Sequence, residues 1–407
     1  MGNKKILIVC QYAQEPPYNT MLRYHNWGKE LIKRGYDVSI LAASVVHNTS
    51  IDMVDINKGN TSSVDGIKYY YINTQKYSGN GIKRLINMYQ FCTGIKSFKK
   101  TLSPDLVIIC GAYPFFFVKH AFKKVPIITD IVDLWPLSIV EYANISNNNP
   151  FIKFLYDIER QAYIKSDALV FSMEGGKDYV SERKYAKKVQ ADKIFHINMG
   201  IDIAKNDENK QLFSQELPWD ESLFNIGYCG SIRQANNVKQ ICDAAYAIQE
   251  KGYKDISFQI YGNGDELESL KAYCNEKKIE NISFYGRIEK EKIPYILSRM
   301  KANILTYKQV GLMRYGGSQS KLFDYLAAGR PIICNAKFGY NLITRYECGI
   351  VTETQSSEAF VDSIEKLYKM DKEQTKKMGD NARKVAEQYD QPALVDKLEE
   401  VFKYLEK

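Results

Sequence analysis

The stretch GGSQSKLFDYLAAGRPII, residues 316–333, predicts a glycine turn, a short helix and a buried strand in close succession. A helix with Ser318 as its N-cap and Gln319 as its first residue would have two faces. One face is apolar and suits packing onto a sheet (Leu322, Phe323, Leu326, Ala327). The other presents a cation and a carboxylate one turn apart (Lys321, Asp324, Tyr325, Ala328).

This second face suits a phosphate ligand. Gly316 and Gly317 let a ligand approach the backbone, and the N–H groups at a helix start bind phosphate. Lys321 adds a positive charge, and Asp324 can accept hydrogen bonds from a ribose, so the stretch predicts a sugar-nucleotide site. A surface Lys–Asp pair after a capped turn explains the same residues without a ligand. Geometry alone leaves both interpretations open.

Short apolar runs alternate with amphipathic segments through the rest of the chain. The runs KKILIVC (4–10) and PDLVIIC (104–110) predict buried strands in the first half, and FNIGYCG (224–230) and ISFQIYGNG (256–264) do so in the second. This alternation indicates parallel sheets with helices on both faces. At 407 residues the chain suits two such domains.

Composition narrows the class of protein. The net charge of +8 favours anionic partners, but no nucleic-acid-binding motif appears. Eight cysteines stand singly, with no C-x-x-C pair, which predicts reduced thiols in a cytosolic protein. The longest apolar stretch, from Leu106 to Val118, is too short to span a membrane, and MGNKKILIVCQ at the start is not a signal peptide. No D-x-D occurs, and we expect no metal site.

The opening stretch resembles the donor-site signature of GT-B glycosyltransferases of the family 4 type. It is most similar to the bacterial capsule and O-antigen subgroup, related to the N-acetylfucosamine transferases. Further segments follow in that family's order: GIKYYYINTQKYSGNGIKRLINMYQF (66–91), DIVDLWPLSIV (130–140), HINMGID (196–202), YCGSI (228–232), IYGNGDE (260–266) and FYGRI (284–288).

The resemblance implies two doubly wound Rossmann-like domains facing across a cleft. We expect an acceptor-side domain over 1–202, a linker over 203–222 and a donor domain over 223–391, with the final helix 392–407 packing back on the first domain. It also implies a retaining, metal-independent hexosyltransferase with no cofactor. The expected donor is a nucleotide-diphosphate sugar, with uridine as the base by analogy. The expected acceptor is a polyprenyl-diphosphate-linked oligosaccharide at the cytoplasmic face of the membrane.

Three positions depart from the family pattern. The second acidic residue of the E-x7-E motif is Asp324, one methylene shorter than glutamate. The first acidic position is Gly316, so a contact to the donor sugar must come from elsewhere, such as the 316–318 backbone. The strand-end histidine of the first domain is absent, and Val132 or Asp133 stands near its place.

By similarity, the donor contacts fall on three segments of the second domain. Arg233, favoured over Lys239, and Lys321 would stabilise the leaving diphosphate. Arg287 and Ile288 would lie near the base. The complete donor set is Gly230, Ser231, Arg233, Arg287, Ile288, Gly316, Gly317, Ser318, Lys321 and Asp324. A solvated loop arginine is the alternative for Arg233.

The candidate acceptor residues lie in the first domain. Asp133 could help to take the acceptor proton, and Trp135 could stack on a sugar. Arg23 and Tyr24 follow the first strand, and Glu174 follows another strand end. Helix capping or core packing explains Asp133, Trp135 and Glu174 equally well.

Residues 76–100 mix Lys and Arg with Tyr, Phe, Leu and Ile. Such helices can lie on anionic membranes, or they can be solvated helices over a core. The resemblance favours peripheral membrane contact. Two other functions stay open: a non-catalytic sugar-nucleotide-binding scaffold of a capsule complex, and a UDP-sugar 2-epimerase. The epimerase is disfavoured because all four histidines precede residue 200.

Overall fold

The computed structural model describes residues 4–19, 22–79, 81–213, 218–352 and 354–407. The chain divides into two compact units, Met1–Asn198 with Gln391–Lys407, and Met199–Asp390. Each unit is built on one sheet. The first crossing between the units follows Asn198, slightly earlier in the chain than the expected boundary at 202.

The first unit has an eight-stranded sheet in the order β3-β4-β2-β1-β5-β6-β7-β8, in which only β3 is antiparallel to its neighbour. Its strands are β1 (Lys5–Val9), β2 (Asp37–Ala43), β3 (Thr61–Val64), β4 (Ile67–Ile72), β5 (Leu106–Cys110), β6 (Ile127–Ile131), β7 (Ala168–Phe171) and β8 (Ile194–His196). The helices among these strands are α1 (Arg23–Lys33), α2 (Met53–Asn57), α3 (Ile82–Gly94), α4 (Phe115–Ala121), α5 (Leu137–Tyr142), α6 (Pro150–Lys165) and α7 (Gly176–Ser181).

The second unit has a six-stranded parallel sheet in the order β11-β10-β9-β12-β13-β14. Its helices are α8 (Ile203–Leu212), α9 (Lys239–Glu250), α10 (Leu267–Glu276), α11 (Ile293–Arg299), α12 (Ser320–Ala327), α13 (Leu342–Arg345), α14 (Ser357–Tyr368) and α15 (Lys372–Gln388). Its strands are β9 (Phe224–Cys229), β10 (Ile256–Tyr261), β11 (Ile282–Gly286), β12 (Ala302–Leu305), β13 (Ile332–Cys334) and β14 (Gly349–Val351). The strand order reverses beside β9, and in doubly wound sheets ligands bind at the carboxyl ends of strands at such a point.

The predicted linker is partly helical. Helix α8 occupies its first ten residues and packs on α11 within the second unit. Asp202 caps it by accepting a hydrogen bond from the Lys205 N–H at 3.0 Å, and Asn206 and Asn209 are buried. The polar composition that suggested a linker is thus that of a capped helix with a small contact face.

The final helix, α16 (Gln391–Leu405), belongs to the first unit and packs on α1. The Arg34 Nη1 atom lies 2.7 Å from both Asp396 and Glu399, and the Tyr36 hydroxyl donates to Glu399 at 2.9 Å. Several apolar side chains of this helix are buried, Leu394 among them. None of the helices in the described ranges is both long and apolar enough to cross a bilayer.

Candidate functional site

The first feature of the site is a glycine turn that follows β9 in the second unit. A Cβ atom on Gly230 would lie 3.1 Å from both the Lys321 Nζ and the Tyr228 Oη atoms. Gly262, at φ 147°, follows β10, and a Cβ there would lie 1.8 Å from the Gly230 carbonyl oxygen. Backbone therefore packs directly on backbone here, which explains the glycines at both positions.

Lys321 is the second residue of α12, and its amine reaches this turn. The Nζ atom donates to Asn236 Oδ1 at 3.2 Å and to Tyr228 Oη at 3.3 Å, and lies 4.5 Å from the ring centre of Tyr307. In the part of the chain that the structure describes, no carboxylate pairs with it. Desolvation lowers the pKa of Lys321 to about 7. The interpretation of these residues as a surface Lys–Asp pair is therefore wrong, because Lys321 is part-buried and does not pair with Asp324.

Asp324, one turn further along α12, is part-buried, and its carboxylate accepts no hydrogen bond from the described residues. Desolvation raises its pKa to about 6, and the charge of Lys290 opposes this rise. A polar group that is withdrawn from water and unpaired can readily bind a hydroxyl-bearing ligand.

Helix α12 starts one residue later than the sequence predicted. Its N-cap is Gln319, with extended backbone at φ −80° and ψ 123°, and the Gln319 side chain makes no capping bond. Within the described chain, the N–H groups of Ser320 and Lys321 have no acceptor. Gly316 has φ 103°, a conformation that favours glycine, so an acidic residue would be strained there.

The remaining donor candidates lie on loops at the same edge of the sheet. Ser231 is exposed, and its carbonyl oxygen accepts hydrogen bonds from Tyr228 Oη and Asn236 Nδ2, each at 2.8 Å. Arg287 is likewise exposed after β11, whereas Ile288 packs beside Tyr261.

Two cations were candidates for the turn after β9. Arg233 is exposed, and its side chain is unpaired among the described residues. Lys239 instead pairs with Asp243. This pairing leaves Arg233 as the available cation of the turn, and its role in donor binding stays a prediction.

Two residues of this arrangement were missed at the sequence level. Tyr228 is fully buried in β9, and Asn236 is buried in the turn that follows. Both contact Lys321, which is 93 and 85 residues away from them in the chain. The position of Tyr228, two residues before Gly230, was the available signal, but a tyrosine inside an apolar strand also suits simple core packing.

In the first unit, Arg23 and Tyr24 are not positioned as predicted. The Arg23 guanidinium is buried and binds the Asp130 carboxylate through two hydrogen bonds of 2.9 and 3.0 Å. It also donates to the carbonyl oxygens of Ile197 and Asn198, and the Tyr24 hydroxyl donates to Asp130 at 2.8 Å. The prediction of acceptor binding by Arg23 and Tyr24 is therefore wrong, because both side chains neutralise and satisfy a buried carboxylate.

The other three acceptor candidates keep some access to solvent. Asp133 is exposed and accepts a hydrogen bond from Ser138 Oγ at 2.9 Å. Trp135 is part-buried, with its ring edge-on to Tyr113.

Glu174 lines a cavity of about 430 Å³ together with His196 and Lys397. Desolvation lowers the pKa of His196 to about 4, so this imidazole is neutral at pH 7. The cavity is therefore lined by two acids, Glu174 and Glu400, and two lysines, Lys177 and Lys397, with no histidine charge. The described residues contain no cluster of three or more potential metal ligands.

The chain is similar in sequence to glycosyltransferases over part of its length. Residues 209–385 match the family model described as Glycosyl transferases group 1. A curated protein of Bacillus subtilis (strain 168), named "Putative teichuronic acid biosynthesis glycosyltransferase TuaH", is 23% identical over 209 residues. That match covers 51% of this chain and about half (49%) of the relative's length.

Solved structures match over nearly the whole chain. Sucrose-phosphate synthase from Thermosynechococcus elongatus has a TM-score of 0.76 at 13% identity, and the match covers 99% of both chains. WaaG, a glycosyltransferase involved in lipopolysaccharide biosynthesis, has a TM-score of 0.71 at 13% identity, over 98% of this chain and 99% of its own. Anabaena HepE in complex with UDP and glucose has a TM-score of 0.69 at 13% identity, over 98% and 100%. The chain thus has the two-domain α/β fold of GT-B glycosyltransferases.

Proposed function

We propose that this chain is a retaining glycosyltransferase. It transfers a sugar from a nucleotide-diphosphate donor, a UDP-sugar, to a lipid-linked oligosaccharide in the synthesis of bacterial capsular or O-antigen polysaccharide. One observation carries the proposal: the Lys321 amine stands beside the Gly230 turn with neutral partners only. A desolvated cation without a carboxylate is costly, and the diphosphate of a donor would supply the missing negative charge.

The residues of the second unit suit the leaving group. The diphosphate would bind at the Gly230 turn, Lys321 and the open N–H groups of α12, with Arg233 closing over it. Asp324 would accept hydrogen bonds from the ribose. UDP and UDP-glucose are bound in the structures of Anabaena HepE, which supports a uridine donor.

The transfer forms one bond and breaks one. The acceptor oxygen bonds to the anomeric carbon, and the bond from that carbon to the diphosphate oxygen breaks, leaving its electron pair on the diphosphate. Lys321, Arg233 and the backbone N–H groups stabilise the charge that develops there. The acceptor proton passes to a diphosphate oxygen, and Asp133, exposed after the end of β6, is the candidate helper.

Binding of a donor is tested by thermal shift against a panel of nucleoside diphosphates and sugar nucleotides. We expect UDP to stabilise the protein, and we expect Lys321→Ala and Asp324→Ala to abolish that stabilisation. Lys239→Ala is the matched control, because Lys239 lies on the same unit but pairs with Asp243. Full UDP affinity in both site variants would refute the assignment of the site.

One observation favours a non-catalytic scaffold as a second candidate. The first acidic position of the family motif is Gly316, so the carboxylate expected to hold the donor sugar is missing. Turnover separates the two functions: transfer of labelled sugar from the donor to lipid in a membrane extract supports the enzyme. Donor binding without any transfer supports the scaffold.

We also propose that the first unit rests on an anionic membrane. Helix α3 exposes large apolar side chains (Ile82, Leu85, Ile86, Tyr89). Residues 66–104, which include α3, contain seven Lys or Arg and no Asp or Glu. Helix α4 contacts the turn Ile95–Lys99 that follows α3, and it exposes Phe116 and Phe117. Apolar side chains beside this excess of positive charge suit insertion at the surface of an anionic bilayer.

Vesicle flotation tests this contact. We expect binding to vesicles rich in phosphatidylglycerol, weaker binding to phosphatidylcholine alone, and loss of binding in Leu85→Glu/Tyr89→Glu. Leu212→Glu is the control, because Leu212 is a similarly exposed apolar side chain of the second unit. Equal loss in the control, or equal binding to both vesicle types, would contradict the proposed surface.

A further inference from the structure

The surroundings of Lys321 form a connected set of hydrogen bonds around one carbonyl group. Tyr228 Oη accepts from Lys321 and donates to the Ser231 carbonyl oxygen. Asn236 Oδ1 also accepts from Lys321, while its Nδ2 donates to the same carbonyl and to Ser231 Oγ, each at 2.8 Å. The amine and the turn are thereby tied together through two side chains.

Both side chains are neutral, and both are buried. A carboxylate at either position would hold the amine equally well but would also cancel its charge. An acceptor that is neutral holds the amine in place and leaves its charge for a ligand. Gly230 adds to the constraint, since a side chain there would contact both the amine and the Tyr228 hydroxyl.

We propose that Tyr228 and Asn236 are positioning residues that hold the Lys321 amine and the Gly230 turn in register for the donor diphosphate without neutralising the lysine. This inference rests on the proposed function, because it names the residues that prepare the same site. Neither residue needs to touch the donor, and both act through Lys321 and Ser231.

The titratable groups around the amine come from four elements. Tyr228 and Cys229 lie in β9, Tyr307 follows β12, Cys334 ends β13, and Asp324 lies one turn along α12. None of them pairs with the amine as an anion in the described structure. Removal of the Tyr228 hydroxyl takes away one of two acceptors of the ammonium, so the charged form should be lost at a lower pH.

The test is UDP affinity at pH 5.5 and pH 8.5, measured by calorimetry for wild type, Tyr228→Phe and Tyr325→Phe. Tyr325 is the matched control: its buried hydroxyl bonds to the backbone of Cys229 and does not contact Lys321. We expect Tyr228→Phe to weaken UDP binding about tenfold at pH 8.5 and less than about twofold at pH 5.5. Protonation of UDP and of Asp324 affects the wild type and the variant equally, so it cancels in the ratio of their UDP affinities.

If the ratio of UDP affinities between wild type and Tyr228→Phe is the same at both pH values, the positioning role is overturned and Tyr228 has a structural role only. A pH-dependent loss of the same size in Tyr325→Phe would overturn it as well. The proposed function fails separately, if the wild-type protein binds none of UDP, GDP, ADP and CDP at either pH. Asn236→Asp adds a further readout, because a carboxylate beside Lys321 should cancel its charge and weaken UDP binding even at pH 5.5.

Discussion

Replacement of Asp130 by asparagine tests whether Arg23 is part of the framework of the first unit. The change removes the counter-charge of a guanidinium whose side chain is 1% exposed, and Asp130 itself is fully buried. We expect the first unit to lose much of its stability, because an uncompensated buried charge is far more costly than a missing surface pair.

The magnitude follows from the contacts. Arg23 now donates two hydrogen bonds to Asp130, of 2.9 and 3.0 Å. The N–H₂ group of the introduced asparagine would face one of these two donors, so that hydrogen bond would be lost. The carbonyl oxygens of Ile197 and Asn198, at 2.8 and 2.7 Å, would still accept from Arg23. Breaking a buried pair costs about 3–5 kcal/mol, and the retained carbonyl contacts favour the lower end of that range.

Urea unfolding followed by tryptophan fluorescence measures the loss. In a Trp219→Phe background the remaining tryptophans, Trp27 and Trp135, both lie in the first unit. Trp27 reports the pair directly, since its ring centre is 4.0 Å from the Arg23 guanidinium. Asp133→Asn is the control, because its side chain is exposed, and surface changes usually stay within about 0.5 kcal/mol.

A double-mutant cycle completes the test. Arg23→Met alone should also destabilise, and the pair Arg23→Met/Asp130→Asn should recover part of the loss, because it leaves no unpaired charge. If the free energy of unfolding of Asp130→Asn lies within about 1 kcal/mol of the wild-type value, the reasoning fails. Arg23 would then return as a candidate acceptor contact.

Three further outcomes follow from the second unit. UDP affinity should fall as pH rises above about 7, because bound diphosphate raises the Lys321 pKa from its value of about 7 in the free protein; calorimetry at several pH values checks this. The stability of Lys321→Met relative to wild type should be higher at pH 6 than at pH 9. Only the wild type carries a desolvated charge at this position, and that charge is lost as pH rises through the folded-state pKa; urea unfolding at both pH values measures the difference. Gly230→Ala should weaken UDP binding about tenfold, because its methyl group displaces the amine, while thermal unfolding changes little.

Local patterns in the sequence identified most of the framework. The apolar runs became parallel strands, and Leu322, Phe323, Leu326 and Ala327 are all buried on one face of α12, as the helical period predicted. These features depend on spacing within a short window, which the sequence displays directly. Helix α8 was missed because it has almost no apolar face, although its cap, Asp202, was visible.

Contacts between distant segments were the main source of error. Arg23 looked available because it follows β1 in a loop-and-helix segment, but its partner Asp130 is 107 residues away. Nothing near Arg23 in the sequence reveals that a carboxylate is buried beneath it. Tyr228 was overlooked for the same reason, since its contact with Lys321 depends on how α12 packs against the end of β9.

Arg23 and Lys321 differ in how the protein compensates their positive charge. Arg23 is surrounded by a carboxylate and two carbonyl oxygens, so its environment already stabilises the charged form and leaves nothing for a ligand. Lys321 has a hydroxyl and an amide only, and desolvation lowers its pKa to about 7. A pKa shift of that size corresponds to several kcal/mol of folding stability that is lost below pH 7. A bound anion would recover that cost, so we expect the lysine rather than the arginine to mark the site.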